Sequence, residues 1–280
     1  TVSNGLVDFH DIAGFLTTFA ASNEICTCHY SLACLAPDIK TELEAFDGYW
    51  GKGAFPLEVS KIVYTPIQNS ATRVAALLSG EVDFIQDVPV QDLSRVASAD
   101  GLDVRTAAQN RVIFFGMRSG FADIENDDVD GANPLGDLRV RQAMSMAINR
   151  DAIKQIVMRG QSQPAGMIAP PFVNGWTAAM DAAAMTDVAK AKTLMADAGY
   201  GDGFSIQLDC PNDRYINDEA ICQAAVGMLG QIGVKVNLNA QPKAQHFPLI
   251  QNGTTDFYML GWGVPTYDSE YIFNFLVLTR

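Results

Sequence analysis

The chain has 280 residues, 48% hydrophobic and 18% charged, with 19 basic against 32 acidic side chains and a formal net charge of -13. That apolar content excludes a disordered chain, and the negative charge repels phosphate backbones and anionic lipid, so nucleic acid is not an expected partner. The length suits one large or two ordinary domains. Residues 160–180 form the longest uncharged stretch, but Gln161, Gln163, Pro164, Pro170, Pro171 and Asn174 interrupt it, so it reads as a loop and not a membrane span. Nothing at Thr1 has the basic, apolar, small-residue order of a secretion signal, so any export signal is expected to have been removed or to lie outside this sequence.

Residues 1–36 fit neither the helical nor the strand period for long. From there the pattern alternates. Residues 61–67 (KIVYTPI) read as a strand and 70–79 as a helix with Val74, Ala75, Leu77 and Leu78 on one face, stopped by Gly80. A strand at 82–88, a helix at 91–99 and strands at 102–106 and 111–117 follow. Residues 121–133, crowded with Asp123, Glu125, Asp127, Asp128 and Asp130, have no period and read as an acidic linker. Asp137 can cap a helix over 138–148 whose buried face is Val140, Ala143, Met144, Ala147 and Ile148. Asp151 can cap 152–159 and Asp187 can cap 188–198, with Gly160 and Gly199 as stops. The series ends with a strand at 204–210, a helix at 217–231, a strand at 234–239, an amphipathic segment at 244–252 and a strand at 256–261. Strands interleaved with capped helices argue for an α/β fold, and the boundary between domains is expected near the strand at 111–117.

Four stretches taken in order carry a family resemblance: FDGYWGKG (46–53), ATRVAALLSGEVDFI (71–85), LGDLRVRQAMSMAINRDAI (135–153) and AKTLMADAGYGDGF (191–204). Together they resemble extracellular solute-binding protein family 5, the periplasmic peptide- and nickel-binding components of ABC importers. DCPNDRYINDEAICQ (209–223) and LGWG (260–263) resemble its peptide-binding branch. The resemblance implies an α/β, periplasmic-binding-protein-like type II (cluster C) two-lobe fold, present here only in part. Residues 1–112 would be the C-terminal part of the first lobe and 113–280 the second lobe, incomplete at its C-terminus. It also implies a monomeric periplasmic receptor that captures di- or oligopeptides and delivers them to the transmembrane subunits of an ABC permease, without catalysis and without a cofactor. A receptor of the same fold for a metal chelate, an opine or an oligosaccharide is the competing reading.

Arg214 lies in a Pro-Asn-Asp-Arg-Tyr loop between a strand end and a helix start, where ligand contacts concentrate in α/β folds, and its guanidinium can clamp a carboxylate. The resemblance implies that it meets a peptide's C-terminal carboxylate; the competing reading is a loop arginine paired with Asp213 or Asp218. Trp262, emerging from the strand at 256–261, can stack on a ligand or pack in the core. The family's peptide binders place an Asp three residues after this Trp, and here that position is Pro265. Asp268 is then the candidate counter-ion for an amine, or else a cap of the next segment; Asn212, Tyr215 and Tyr267 are further ligand-binding candidates from the same loops. Cys210 and Cys222, at a strand end and inside the following helix, are expected to form a disulfide that closes the Arg214 loop.

Cys26, Cys28, His29 and Cys34 offer four soft ligands, but their spacing matches no common zinc knuckle. They read as substitutions on a strand entry of the family, and no metal site is expected. The three histidines, His10, His29 and His246, lie in no nucleophile, metalloprotease or phosphate-loop context, so an enzyme is not expected; His246 reads as a surface or half-buried residue.

Overall fold

The computed structural model describes residues 40–51, 53–54, 59–182 and 185–277, which fall into two compact units, one ending at Arg73 and one starting at Val74. This is a division by packing, distinct from the lobe boundary expected after residue 112. Cys26, Cys28, His29 and Cys34 lie outside the described residues. In the first unit, β1 (Thr41–Glu44) pairs antiparallel with β2 (Lys61–Tyr64) in the register Leu43↔Ile62. Period-two alternation turns Leu43 inward, 1% exposed, while Glu42 meets Lys61 at 2.7 Å on the outer face. The strand expected to run to residue 67 stops at Tyr64, ahead of Pro66, which has no N–H to give to a ladder.

The helix α1 (Ser70–Leu78) buries Val74, Ala76 and Leu77, and with α2 (Leu93–Ala97) it builds a small core around Val74, Leu77 and Val96. Val82, Ile85, Val88, Leu102 and Val104 pack against that core. The strands expected at 82–88 and 102–106 do not form. Their apolar alternation reports burial against two helices, and no described strand is present to pair with them.

The main sheet has the order β3-β6-β4-β5: β3 (Arg111–Met117), β4 (Phe204–Pro211), β5 (Val234–Gln241) and β6 (Phe257–Gly263). β3 runs antiparallel to β6, from Arg111↔Gly263 to Met117↔Phe257. β4 runs parallel to β5 from Phe204↔Val234 to Pro211↔Gln241, and parallel to β6 at Asp209↔Tyr258. Around this sheet the chain forms α3 (Leu138–Ala147), α4 (Val188–Asp197), α5 (Asp218–Gly230) and α6 (Lys243–Asn252). Asp137 caps α3 by accepting from Arg139 N at 2.8 Å, and Asp187 caps α4 by accepting from Lys190 N at 2.9 Å, as their sequence positions predict. Val140, Ala143, Met144 and Ala147 of α3 are at most 2% exposed and join Met195, Ile206, Leu208, Leu229, Phe257 and Met259 in one core. The helix expected at 152–159 differs: Asn149, not Asp151, caps it by accepting from Ala152 N, and its second half widens into a π turn at Ile153–Val157.

Two further expectations change. The acidic stretch at 121–133 is not a loose linker but is pinned to the sheet. Asp256, 1% exposed, accepts through Oδ2 from Glu125 N, Asn126 N and Asn126 Nδ2, and its Oδ1 stands 3.6 Å from the Arg118 guanidinium. Gln207 N then donates to Asn126 O, so the segment adds a rung to β4 where β6 diverges. His246 is fully buried, because α6 lays it against β6, where its Nε2–H donates to Met259 O at 2.8 Å. Burial pushes its imidazole below the usual histidine range, and the Met259 hydrogen bond and the charges of Asp209 and Asp218 only partly oppose this. Among the described residues no helix is long and apolar enough to cross a membrane.

Candidate functional site

Sheet topology locates the site. After β4 the chain crosses through α5 to β5 on one side of it, then through α6 to β6 on the other, so the direction of winding reverses at β4. Side chains at the carboxyl ends of β4 and β6 therefore border the crevice that such a reversal opens. The loop after β4 carries Arg214 and Tyr215, and β6 ends in Gly261, Trp262 and Gly263.

Asp218 organises the first of these loops. Its Oδ2 accepts from both Arg214 N and Tyr215 N at 2.9 Å, and its Oδ1 from Glu219 N at 3.0 Å, which folds the chain back onto the start of α5. The disulfide between Cys210 and Cys222, Cα atoms 6.7 Å apart and both residues fully buried, ties the end of β4 to α5 beneath it. Tyr215 is then held across the gap between β4 and β6: Gly261 N donates to its hydroxyl at 2.8 Å, satisfying a strand N–H that β4 no longer reaches. A Cβ on Gly261 would stand 2.7 Å from Tyr215 Cε1, so only glycine lets the ring lie against β6. Burial raises the Tyr215 phenol above its usual range, with the Gly261 contact and two arginines opposing it.

Those arginines are Arg214 and Arg111. The Arg214 guanidinium carbon lies 5.1 Å from the Tyr215 ring centroid, and that of Arg111, the first residue of β3, lies 5.8 Å from the same centroid. The carboxylates expected to compete for Arg214 are engaged elsewhere: Asp218 by backbone N–H groups, and Asp213 by Lys243, which donates its backbone N–H at 2.6 Å and holds its ammonium at 3.8 Å. Arg214 is half-buried and has no ion pair among the described residues. Sequence reasoning missed Arg111. It stands at a strand's first position, where nothing local signals a ligand contact, and only the antiparallel pairing Arg111↔Gly263 brings it to the mouth of β4 and β6.

Of the remaining candidates, Trp262 lies in β6, Tyr267 and Asp268 follow it, and Asn212 follows β4 directly. The Trp262 ring packs 5.8 Å from Tyr271 and 6.1 Å from Phe275, beside the buried Val173, Val264 and Ile272. It is partly buried and packs against a second core, with its Nε1–H buried and without a hydrogen-bond partner among the described residues. Asp268 accepts from Asn174 Nδ2 at 2.8 Å and from Glu270 N at 2.9 Å, so both carboxylate oxygens are engaged in tying two loops together and capping a helical turn; those contacts, Asn174 first, hold its carboxyl below the usual range. Tyr267 is exposed, with φ 53°, its ring 6.2 Å from Phe172. Asn212 is exposed and extends the β4–β5 ladder through its N–H to Gln241 O.

A hollow of ≈ 250 Å³ lined by Asn126, Asp127, Asp128, Ser205, Gln207 and Asn237 lies toward the opposite, amino-terminal end of β4 and contains no basic group. Among the described residues no cluster of three or more His, Cys, Asp or Glu is placed to hold a metal ion.

The reversal of an α/β sheet is where such folds hold ligands, and the family model for bacterial extracellular solute-binding proteins, family 5 Middle, matches residues 11–280. The chain belongs to family 5 of these proteins. Family 5 proteins are binding components of ABC importers, not enzymes, and act outside the cytoplasm. The chain is 26% identical over 242 residues to the glutathione-binding protein GsiB of Salmonella paratyphi A, a match covering 82% of this chain and 43% of that protein. Among solved structures it resembles the dipeptide binding protein of Pseudoalteromonas sp. SM9913 in complex with Met-Leu, at 25% identity and TM-score 0.68, covering 84% of this chain and 44% of that one. It also resembles AgaA of A. tumefaciens R10 in complex with agropinic acid, at 24% identity and TM-score 0.67, covering 94% of this chain and 51% of that one. These neighbours share the type II periplasmic-binding-protein fold, of which this chain is a part, and it spans less than half the length of the curated relatives it matches.

Proposed function

We propose that this chain is the ligand-recognising part of a periplasmic receptor that captures di- or oligopeptides and delivers them to the transmembrane subunits of an ABC permease. In this reading residues 1–112 belong to the first lobe and residues 113–280 to the second, and the receptor acts as a monomer. The observation that carries it is Arg214 at the carboxyl end of β4, half-buried and without an ion pair among the described residues, a ready partner for a peptide carboxylate. The named ligands of two relatives, glutathione and Met-Leu, are themselves peptides with free carboxylates. Pro265, in the place of the amine-binding Asp of family peptide binders, supports a second reading in which the solute is a non-peptide acid such as an opine.

Mass spectrometry of small molecules released by denaturing the full natural protein, purified from cells, tests the proposal. Release of an intact peptide is the expected result. Release of an intact opine-type acid moves the assignment to the second reading, and turnover of the bound molecule by the native protein removes both.

A further inference from the structure

The other half-buried arginines of the second unit are satisfied within the protein: Arg118 faces Asp256, Arg141 donates to Leu135 O and Gly136 O, and Arg150 donates to Ser145 O. Arg111 and Arg214 are the exceptions among the described residues. Among the described residues neither guanidinium makes a hydrogen bond or an ion pair, although both are half-buried and both lean on one aromatic ring. Arg111 sits below the usual arginine range, first because burial strips it of water and then because Arg214 repels it; Tyr215 and Asp87 oppose this less strongly. A protein of net charge -13 thus gathers two cations beside one ring with neither in an ion pair among the described residues. A single bound carboxylate would balance one of them and leave the other desolvated and unpaired, an arrangement that is costly to retain.

We propose that Arg111 and Arg214 form a single two-guanidinium site, spanned by the Tyr215 ring, that selects solutes carrying two acid groups. This rests on the reading of the crevice at the ends of β4 and β6 as the solute site. Arg214 takes the first carboxylate and Arg111 the second, each by the paired N–H donors of its planar fork. In peptide terms the preferred ligand is one with an acidic side chain beside its C-terminal carboxylate.

Calorimetric titration of the full natural protein, freed of endogenous solute, compares Ala-Glu and Ala-Asp with their amide twins Ala-Gln and Ala-Asn. The acids should bind at least about tenfold more tightly, the lower bound for a hydrogen bond to a charged group. Arg111→Gln should abolish that preference while changing the affinity for Ala-Gln by less than about threefold, and Arg111→Lys should keep part of it, since the charge survives and the fork does not. Equal losses for acid and amide twins in Arg111→Gln would overturn the proposal, as would an unchanged preference. A parallel thermal-shift series with glutarate and its monoamide separates this outcome from failure of the peptide reading. If no dipeptide binds but glutarate stabilises the native protein more than the monoamide does, and Arg111→Gln loses that difference, the two-charge site stands without peptides. If glutarate also shows no dependence on Arg111, the site is refuted.

Discussion

Asp218→Ala should lower stability by about 2–4 kcal/mol, because one 4% exposed carboxylate accepts from three backbone N–H groups and each loses its partner at once. The charge also sits in the first turn of α5, where the helix dipole favours an anion. The damage should reach the site. Without the Asp218 carboxylate, the backbone N–H groups of Arg214 and Tyr215 lose their acceptor, so the Tyr215 hydroxyl should shift from Gly261 N and loosen the platform that both arginines share. Asp218→Asn keeps one acceptor oxygen and should lose less than the alanine variant. Urea denaturation of the three proteins gives the ranking. A loss for Asp218→Ala within about 0.5 kcal/mol, the usual range for surface substitutions, would mean that the loop is held by something other than this carboxylate.

The second large effect is expected at the disulfide. Cys210 and Cys222 enclose the whole Arg214 loop with a sequence separation of 12, and closing a loop of that size should contribute roughly 3 kcal/mol by restricting the unfolded chain. The pair Cys210→Ser and Cys222→Ser removes this and leaves two hydroxyls in a fully buried site, so its loss should be at least as large. Peptide mapping without reduction should recover the segments around residues 210 and 222 joined, and denaturation with and without reductant should differ by the stated amount. Both thiols recovered unlinked from exported protein, with identical denaturation midpoints, would contradict it.

What the sequence made legible follows from the range of the signal. Caps and helix faces are local: Asp137 three residues ahead of Val140 marks both the start of α3 and the face it buries, and the same grammar marks α4. Strands need partners that local pattern cannot supply, so 82–88 and 102–106 read like β3 but lack a neighbour to pair with. Arg214 and Tyr215 were visible because a loop between strand and helix is itself a signal. Arg111 was invisible because its role depends on β3 lying antiparallel to β6, and no period within the strand encodes that. The error over His246 has the same origin, since a weakly amphipathic helix gives no sign that its histidine will lie over Met259. Trp262 read both as a stacking surface and as a core residue, because Tyr271 and Phe275, which pack against its ring, lie C-terminal to it and beyond any local period. Trp262→Ala should accordingly act on stability more than on recognition.

The measurement that bears most directly on the central claim, that a ligand carboxylate is read at the carboxyl end of β4, is calorimetric titration of Arg214→Ala in the full natural protein with a bound peptide and its C-terminal amide. Loss of a charge-assisted hydrogen bond should weaken the free acid by about 1.5–3 kcal/mol and leave the amide nearly unchanged. Equal weakening of acid and amide would contradict the account, because Arg214 would then support the loop and read no carboxylate.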